Sequence, residues 1–303
     1  MSKSINYKSL RTIALTLLIA LVLIINQYGT TQDKETSTTP LPSGIIEVHF
    51  IDAGQGDSIL IETKDSAMLI DTGENQKGID VVNYLQSQNI KKLDYLIGTH
   101  PYSDHIGGLD EVLDSLPVDQ VLLPEITNKT ATSQEVLDTL AKKNLTITIP
   151  EAGSQYNIGD ATFTILAPGK AYDDMNDNSL VIKLNFGNNS FLFTGDAEQQ
   201  SEKDILAKSS DLSADVLQIA HHGSVTSTSQ EFLDAVAPAY AVICVGADND
   251  YGHPNEEILQ RIKGRSIKLY RTDTQGTIVF TSNGKNISVD TKDYEITDAD
   301  LID

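Results

Sequence analysis

The chain has 303 residues, 40% of them hydrophobic, with 22 basic and 43 acidic side chains and a formal charge of −21. That length buries one large α/β core or two small ones, and a single cysteine, Cys244, excludes internal disulfides. So acidic a surface repels polyanions at long range, which counts against a passive nucleic-acid-binding module; a phosphate-bearing substrate would need a local positive feature such as a metal ion.

At the N-terminus Lys3, Lys8 and Arg11 precede "IALTLLIALVLII", an almost wholly apolar run from Ile13 to Ile25, and a polar stretch rich in Ser, Thr and Pro follows. This layout predicts a signal peptide or signal anchor over residues 1–28 and a linker over 29–43. No small-x-small cleavage site follows the run, which favours an uncleaved anchor helix; its neighbours extend it to about 17 residues, the lower limit for crossing a bilayer. The basic flank stays in the cytoplasm, so the remaining residues are expected outside the cell membrane as a single-pass protein, or secreted if the segment is cleaved. Those residues, 44–303, carry 18 basic and 41 acidic side chains, a net charge near −23.

Strand-like and helix-like patterns then alternate. "IIEVHFI", "SILIET" and "AMLID" read as three short strands, and "GIDVVNYLQSQ" has helical spacing through Ile79, Val82 and Leu85. "LDYLIGTH" reads as a buried strand, with Leu109, Val112, Leu113 and Leu116 lining one face of the helix that follows. The intervening "THPYSDHIGG" is therefore a strand-to-helix loop, where open α/β sheets place their ligands. "DSILIE…AMLIDTG" is echoed by "NSLVIKL…SFLFTGD", which predicts two similar halves and a site at their seam. Strands "ADVLQIA", "AYAVICV", "SIKLYRT" and "TIVFTS" and helices near "QEFLDAV" and "NEEILQRIK" complete a domain over 44–290, and residues 291–303 read as a mobile acidic tail. Cys244, inside "AYAVICV", is read as a buried core residue.

Five of the six histidines lie at presumed strand ends beside Gly, Pro, Asp or Ser, where imidazole and carboxylate commonly ligate zinc and related ions. His100 and the adjacent pair Asp104 and His105 leave a turning backbone in different directions, so one cluster can serve two metals about 3.5 to 4 Å apart, a common arrangement for phosphoester hydrolysis. "FLFTGD" ends a strand with Asp196, and "IAHHGS" ends another with His221 and His222. "DAGQGDS" has no Walker pattern and reads as a tight turn bordering the site, with Asp57 and Ser58 facing it. His49, in the alternating strand "IEVHFI", reads as structural.

With these segments in order, the chain resembles the metallo-β-lactamase superfamily, and within it the hydrolase domain of ComEC-type DNA-uptake proteins and their free-standing relatives. "FIDAGQGDSILIE", "MLIDTG", "THPYSDHIGGL", "NDNSLVI", "FLFTGD", "ADVLQIAHHGS", "YGHP" and "YRTDTQG" carry the resemblance. It implies an αββα sandwich and one or two divalent ions, Zn or Mn. His100 would belong to one metal site, Asp104, His105 and His221 to the other, with Asp196 bridging. A further histidine of many members is missing from "DDMNDNSL"; Asn178 is the expected substitute, with Asp177 as the alternative. Asp71 is expected to orient the ligand loop from behind, and His222 to stand behind the ligands as well. Asp104 and His253 are expected to carry catalysis, with Tyr102, Ser224 and His253 meeting the substrate.

The function implied is metal-dependent phosphodiester hydrolysis, as a nuclease acting on DNA or another nucleic acid, with a DNA-uptake channel as a partner. The alternatives are hydrolysis of another phosphoester or ester, such as a cell-envelope polymer or small metabolite, and a non-catalytic surface accessory protein with a decayed metal site. The chain lacks the many membrane helices of an uptake pore.

Overall fold

The computed structural model describes residues 41–126, 130–209 and 211–301. The expected anchor lies outside these residues, and among them no helix is long and apolar enough to cross a membrane.

The first half contains β1 (Ile46–Phe50), β2 (Ile59–Glu62), β3 (Ala67–Ile70), α1 (Gly78–Ser87), β4 (Leu93–Ile97), α2 (Ser103–Ile106), α3 (Leu109–Ser115), β5 (Val118–Leu122), α4 (Ala131–Lys143) and β6 (Ile147–Thr148). The second contains β7 (Gln155–Ile158), β8 (Ala161–Ala167), β9 (Val181–Phe186), β10 (Asn189–Phe193), α5 (Gln199–Lys208), β11 (Val216–Gln218), α6 (Gln230–Val236), β12 (Tyr240–Ile243), α7 (Glu256–Lys263), β13 (Lys268–Arg271) and α8 (Thr272–Gln275). β14 (Ile278–Ser282) and β15 (Ile287–Val289) then return to the first sheet, giving the orders β15-β14-β1-β2-β3-β4-β5-β6 and β13-β12-β11-β10-β9-β8-β7.

The two sheets pack face to face. Phe50, Ile61, Met68 and Ile70 from one meet Phe163, Ile165, Phe191 and Phe193 from the other. The alternate residues Leu60 and Leu69 point outward onto Val81, Leu85 and Val112 of the first helical layer. Leu192, Leu217 and Ala241 meet Phe232, Leu233 and Ile258 of the second. Burial on both faces is why β2, β3 and β12 read as near-continuous apolar runs, whereas β1 and β8 alternate. Truncating a residue such as Leu69, which has no exposed surface, to alanine would cost about 2–5 kcal/mol.

The internal echo has a structural counterpart. β2–β3 and β9–β10 are antiparallel hairpins, one in each sheet, and β3 and β10 each run parallel to the strand that follows, β4 and β11. The C-terminal ends of these parallel strands carry Asp71, His100, Asp196 and the His221–His222 pair.

One boundary needs correction. The residues after Asp290 fold back onto the domain: Tyr294 pairs with Leu269, its hydroxyl donates to Asp300 at 2.6 Å, and Arg271 contacts Asp300 at 3.4 Å. Ile296 and Leu301 pack against the second apolar layer. These aromatic and aliphatic residues, interspersed among the acids, give the segment surface to bury, so it is not a mobile tail as far as Leu301.

Candidate metal centre

The centre is assembled from backbone turns that ordinary strands do not make. His221 and His222 both adopt left-handed φ, +50° and +54°. A strand aims only one of two neighbours at a given side; this left-handed pair turns both imidazoles inward. Gly195, at φ +50°, sits where a Cβ would lie 2.9 Å from the Thr99 side chain, so a glycine lets the two halves approach and bring Asp196 to the histidines.

Asp196 stands at the middle. Its Oδ1 is 3.2 Å from His105 Nε2 and 3.7 Å from His222 Nε2. Its Oδ2 is 3.6 Å from His100 Nε2 and 3.8 Å from His221 Nε2. Asp104 Oδ2 joins the first group, 3.3 Å from His222 Nε2 and 3.9 Å from His105 Nε2. Donor atoms of Asp104, His105, Asp196 and His222 all lie within 4.8 Å of one another. One carboxylate therefore presents one oxygen to a four-residue donor set and the other to a set formed with His100 and His221.

A second layer fixes which nitrogen faces inward. Asp71 accepts from Thr99 N and Thr99 Oγ1, both at 2.7 Å, and faces His105 Nδ1 at 2.9 Å. His222 Nδ1 donates to the Cys244 carbonyl at 2.9 Å, and His221 Nδ1 meets Glu198 Oε1 at 3.0 Å. With each Nδ1 occupied, Nε2 is left for the centre, the usual support of metal-binding histidine. Asp57, hydrogen-bonded by Gln218 and 3.6 Å from His222 Nδ1, stands in this layer.

The fit to a cation rests on unsatisfied atoms. Nε2 of His100, His105 and His222 and Oδ1 of Asp196 are buried without a hydrogen-bond partner among the described residues, which would be costly unless another group binds them. Burial and the neighbouring His105 press His100 down to about 3. Burial also opposes charge on His105 and His222, yet the carboxylates around them, Asp196 foremost, hold both well above the ordinary imidazole range. Asp104, despite burial, is lowered to about 2 by His105 and His222. Buried carboxylates thus hold protons on imidazoles whose Nε2 atoms converge on one point, and divalent cations could take the place of those protons.

The cluster opens into a cavity of about 260 Å³ lined by Gln55, Tyr102, Ser103, Asp104, Asp196, His221, His222, Tyr251 and His253. Tyr102 stands edge-on to His100, with ring centroids 5.2 Å apart, and burial raises its phenol further, so it stays protonated. His253 stacks on the exposed Tyr251 and is lowered to about 4 by burial and by His221 and His222, so a neutral imidazole faces the cavity at neutral pH.

Several expected residues stand elsewhere. Asn178 is turned away: its oxygen accepts from Tyr172 N at 2.9 Å and its NH2 donates to the Tyr172 and Asp174 carbonyls, beside a separate cavity of about 400 Å³. Asp177, the alternative, is engaged by the Glu198 and Ser201 amides at the start of α5. Ser224 shares its hydroxyl with Thr226 at 2.9 Å, shaping the loop rather than lining the cavity. Ser58 is buried, and its hydroxyl has no partner among the described residues. His222 belongs among the inward-facing donors, and His221 sits on the His100 side rather than with Asp104 and His105. Glu198, which also accepts from Thr226 at 2.8 Å, was not anticipated; its only sequence signal is its place two residues after Asp196 in "GDAE".

Two sheets between two helical layers, with a histidine and aspartate cluster at one edge, define a metal-dependent hydrolase architecture, and the sequence profile of the metallo-beta-lactamase superfamily matches residues 51–247. The chain belongs to that superfamily. It is 33% identical over 254 residues to ComE operon protein 3 of Bacillus subtilis, covering 77% of this chain and 33% of that protein. It is 32% identical over 247 residues to competence protein ComA of Neisseria gonorrhoeae, covering 79% and 33%. The chain thus spans about a third of the length of these competence proteins. Among solved structures, the metallo-beta-lactamase fold protein YhfI of Bacillus subtilis superposes with a TM-score of 0.55 at 13% identity, over 78% of this chain and all of that one, a likeness of fold.

Proposed function

We propose that this chain is a two-metal phosphodiesterase acting on DNA or another nucleic acid. The observation that carries the reading is the split carboxylate of Asp196, with one oxygen toward His105 and His222 and the other toward His100 and His221. Asp104, His105, His222 and Asp196 would hold one ion, and His100, His221 and Asp196 the other, with Zn²⁺ or Mn²⁺ suited to such nitrogen and oxygen donors. When bound, paired divalent ions activate water and offset the charge that develops on a phosphoryl group. They also supply the local positive charge that a chain of net −21 otherwise lacks for a polyanionic substrate.

Around that point the protein's own groups position the substrate. Tyr102, kept protonated, donates a hydrogen bond to a phosphoryl oxygen. Tyr251, 66% exposed at the cavity rim, offers a face for base stacking, and His253 beneath it offers a neutral imidazole to the substrate. The names of the competence relatives support a DNA-related role, and we extend that role to a nucleic-acid substrate and a DNA-uptake channel as partner. The basic residues ahead of Ile13 support an extracytoplasmic location with membrane attachment through residues 1–28.

The full-length protein with Mn²⁺ or Zn²⁺ is expected to cleave single-stranded or duplex DNA as well as a chromogenic phosphodiester. Cleavage of the small diester alone would move the substrate to another phosphoester, and metal binding without turnover on any of them would reject the enzyme reading. A reporter fused after Asp303 should be reachable from outside intact cells; protection until lysis would reject the location.

A further inference from the structure

A second convergence of donor atoms lies on the outer face of the first sheet. Glu47 and Glu62 stand directly opposite each other in the β1–β2 register, and like charges so placed are destabilising unless something positive lies between them. His49, two residues beyond Glu47 and so on the same face, is only 1% exposed. Its Nε2 is 3.5 Å from Glu47 Oε2 and 3.5 Å from Glu62 Oε1, and it makes no hydrogen bond among the described residues. Its Nδ1 meets the Tyr84 hydroxyl of α1 at 2.7 Å, which fixes the ring and aims Nε2 between the two carboxylates.

These separations suit a shared cation better than hydrogen bonding. N–H···O bonds fall mostly between about 2.7 and 3.2 Å, whereas two ligands bound at about 2.0–2.2 Å with tetrahedral angles stand about 3.3–3.6 Å apart. The three donor atoms lie within 4.8 Å of one another. Glu62 is 12% exposed and Glu47 25%, so a fourth position can be filled by water.

We propose that Glu47, His49 and Glu62 form an additional divalent-cation site of the zinc class, separate from the hydrolytic centre, that pins the β1–β2 pair beneath α1. Without the cation, burial works against charge on His49, but Glu47 and Glu62 hold its pKa above the ordinary range, leaving a proton between them. A divalent ion displaces that proton and binds both carboxylates at once. Tyr84, whose phenol burial raises further, remains neutral behind the imidazole.

The test loads the full-length protein, stripped with chelator, with ¹¹³Cd²⁺ and counts its resonances and bound ions. Glu62→Gln and His49→Gln should each remove one resonance and about one ion per chain while leaving the other cadmium signals and phosphodiester hydrolysis as in the parent. An unchanged spectrum and ion count in both variants would overturn the site and leave His49 an imidazolium between two glutamates. A second readout uses the unaltered protein, so that poor folding of a variant does not decide the matter: Mn²⁺ should broaden the His49 and Tyr84 ring signals. Sharp signals from both rings at saturating Mn²⁺ would equally overturn the site.

Discussion

Replacing Asp196 with Asn tests the shared carboxylate most directly, because it keeps the side chain's size while removing one charge and one ligand oxygen. Asp104, His105 and His222 remain on the four-donor side, so the surviving oxygen is best used there. The other side then falls from three donors to the two neutral nitrogens of His100 and His221. Disturbing a group that only supports a ligand costs about 10–100-fold in metal affinity or activity. Losing the ligand and one of two ions should cost more, about 1,000-fold in kcat/KM, or about 4 kcal/mol of transition-state stabilisation. Metal analysis should show a loss of about one ion per chain, with hydrolysis of a chromogenic phosphodiester following the loss and circular dichroism establishing that the variant is folded. A folded Asp196→Asn protein with parental metal content and turnover would refute the bridging role.

Glu198→Gln keeps a hydrogen-bond acceptor at His221 Nδ1 but removes the charge, and should lower activity about 10-fold or more with the loss confined to the His100 side; unchanged metal affinity would count against Glu198 as a support. Asn178→Ala should leave metal content at the parental level, and removing its bonds to Tyr172 and Asp174 should lower stability by about 1–3 kcal/mol, read from denaturant melts; a metal deficit would restore Asn178 as a ligand. Metal-free protein should lose thermal stability as the pH rises. His105 and His222 have pKa values raised above their unfolded values near 6.5, so their contribution is complete below about pH 6.5 and is lost as the pH climbs through the raised folded values. Metal-loaded protein should not show that loss, and calorimetry across pH 6 to 10 with and without chelator, giving parallel curves, would refute the account.

What could be read along the chain was the alternation of strands and helices and the order of the motifs, because periodicity and residue type are local properties. "THPYSDH", "TGD" and "HHGS" each end an apolar strand, and parallel strands gather such ends at one edge, so His100, Asp104, His105, Asp196 and the histidine pair were visible as a group. Their allocation was not. Which of His221 and His222 faces which oxygen depends on two consecutive left-handed residues, and nothing in "AHHG" distinguishes that turn from a strand end. Asn178 looked available because its sequence position fits a missing ligand, but its amide is consumed by the backbone of Tyr172 and Asp174. Glu198 was hidden for the converse reason: an acid at a helix start is ordinary until His221 and Thr226, more than 20 residues away, are folded against it. The tail misled because acids alternate with its apolar residues, although Tyr294, Ile296 and Leu301 suffice to dock it. Sequence by itself determined the donor types and the edge on which they collect. Only tertiary structure decided which atoms meet, because hydrogen bonds between distant segments and the sign of φ at a few turns set the direction of each imidazole and carboxylate.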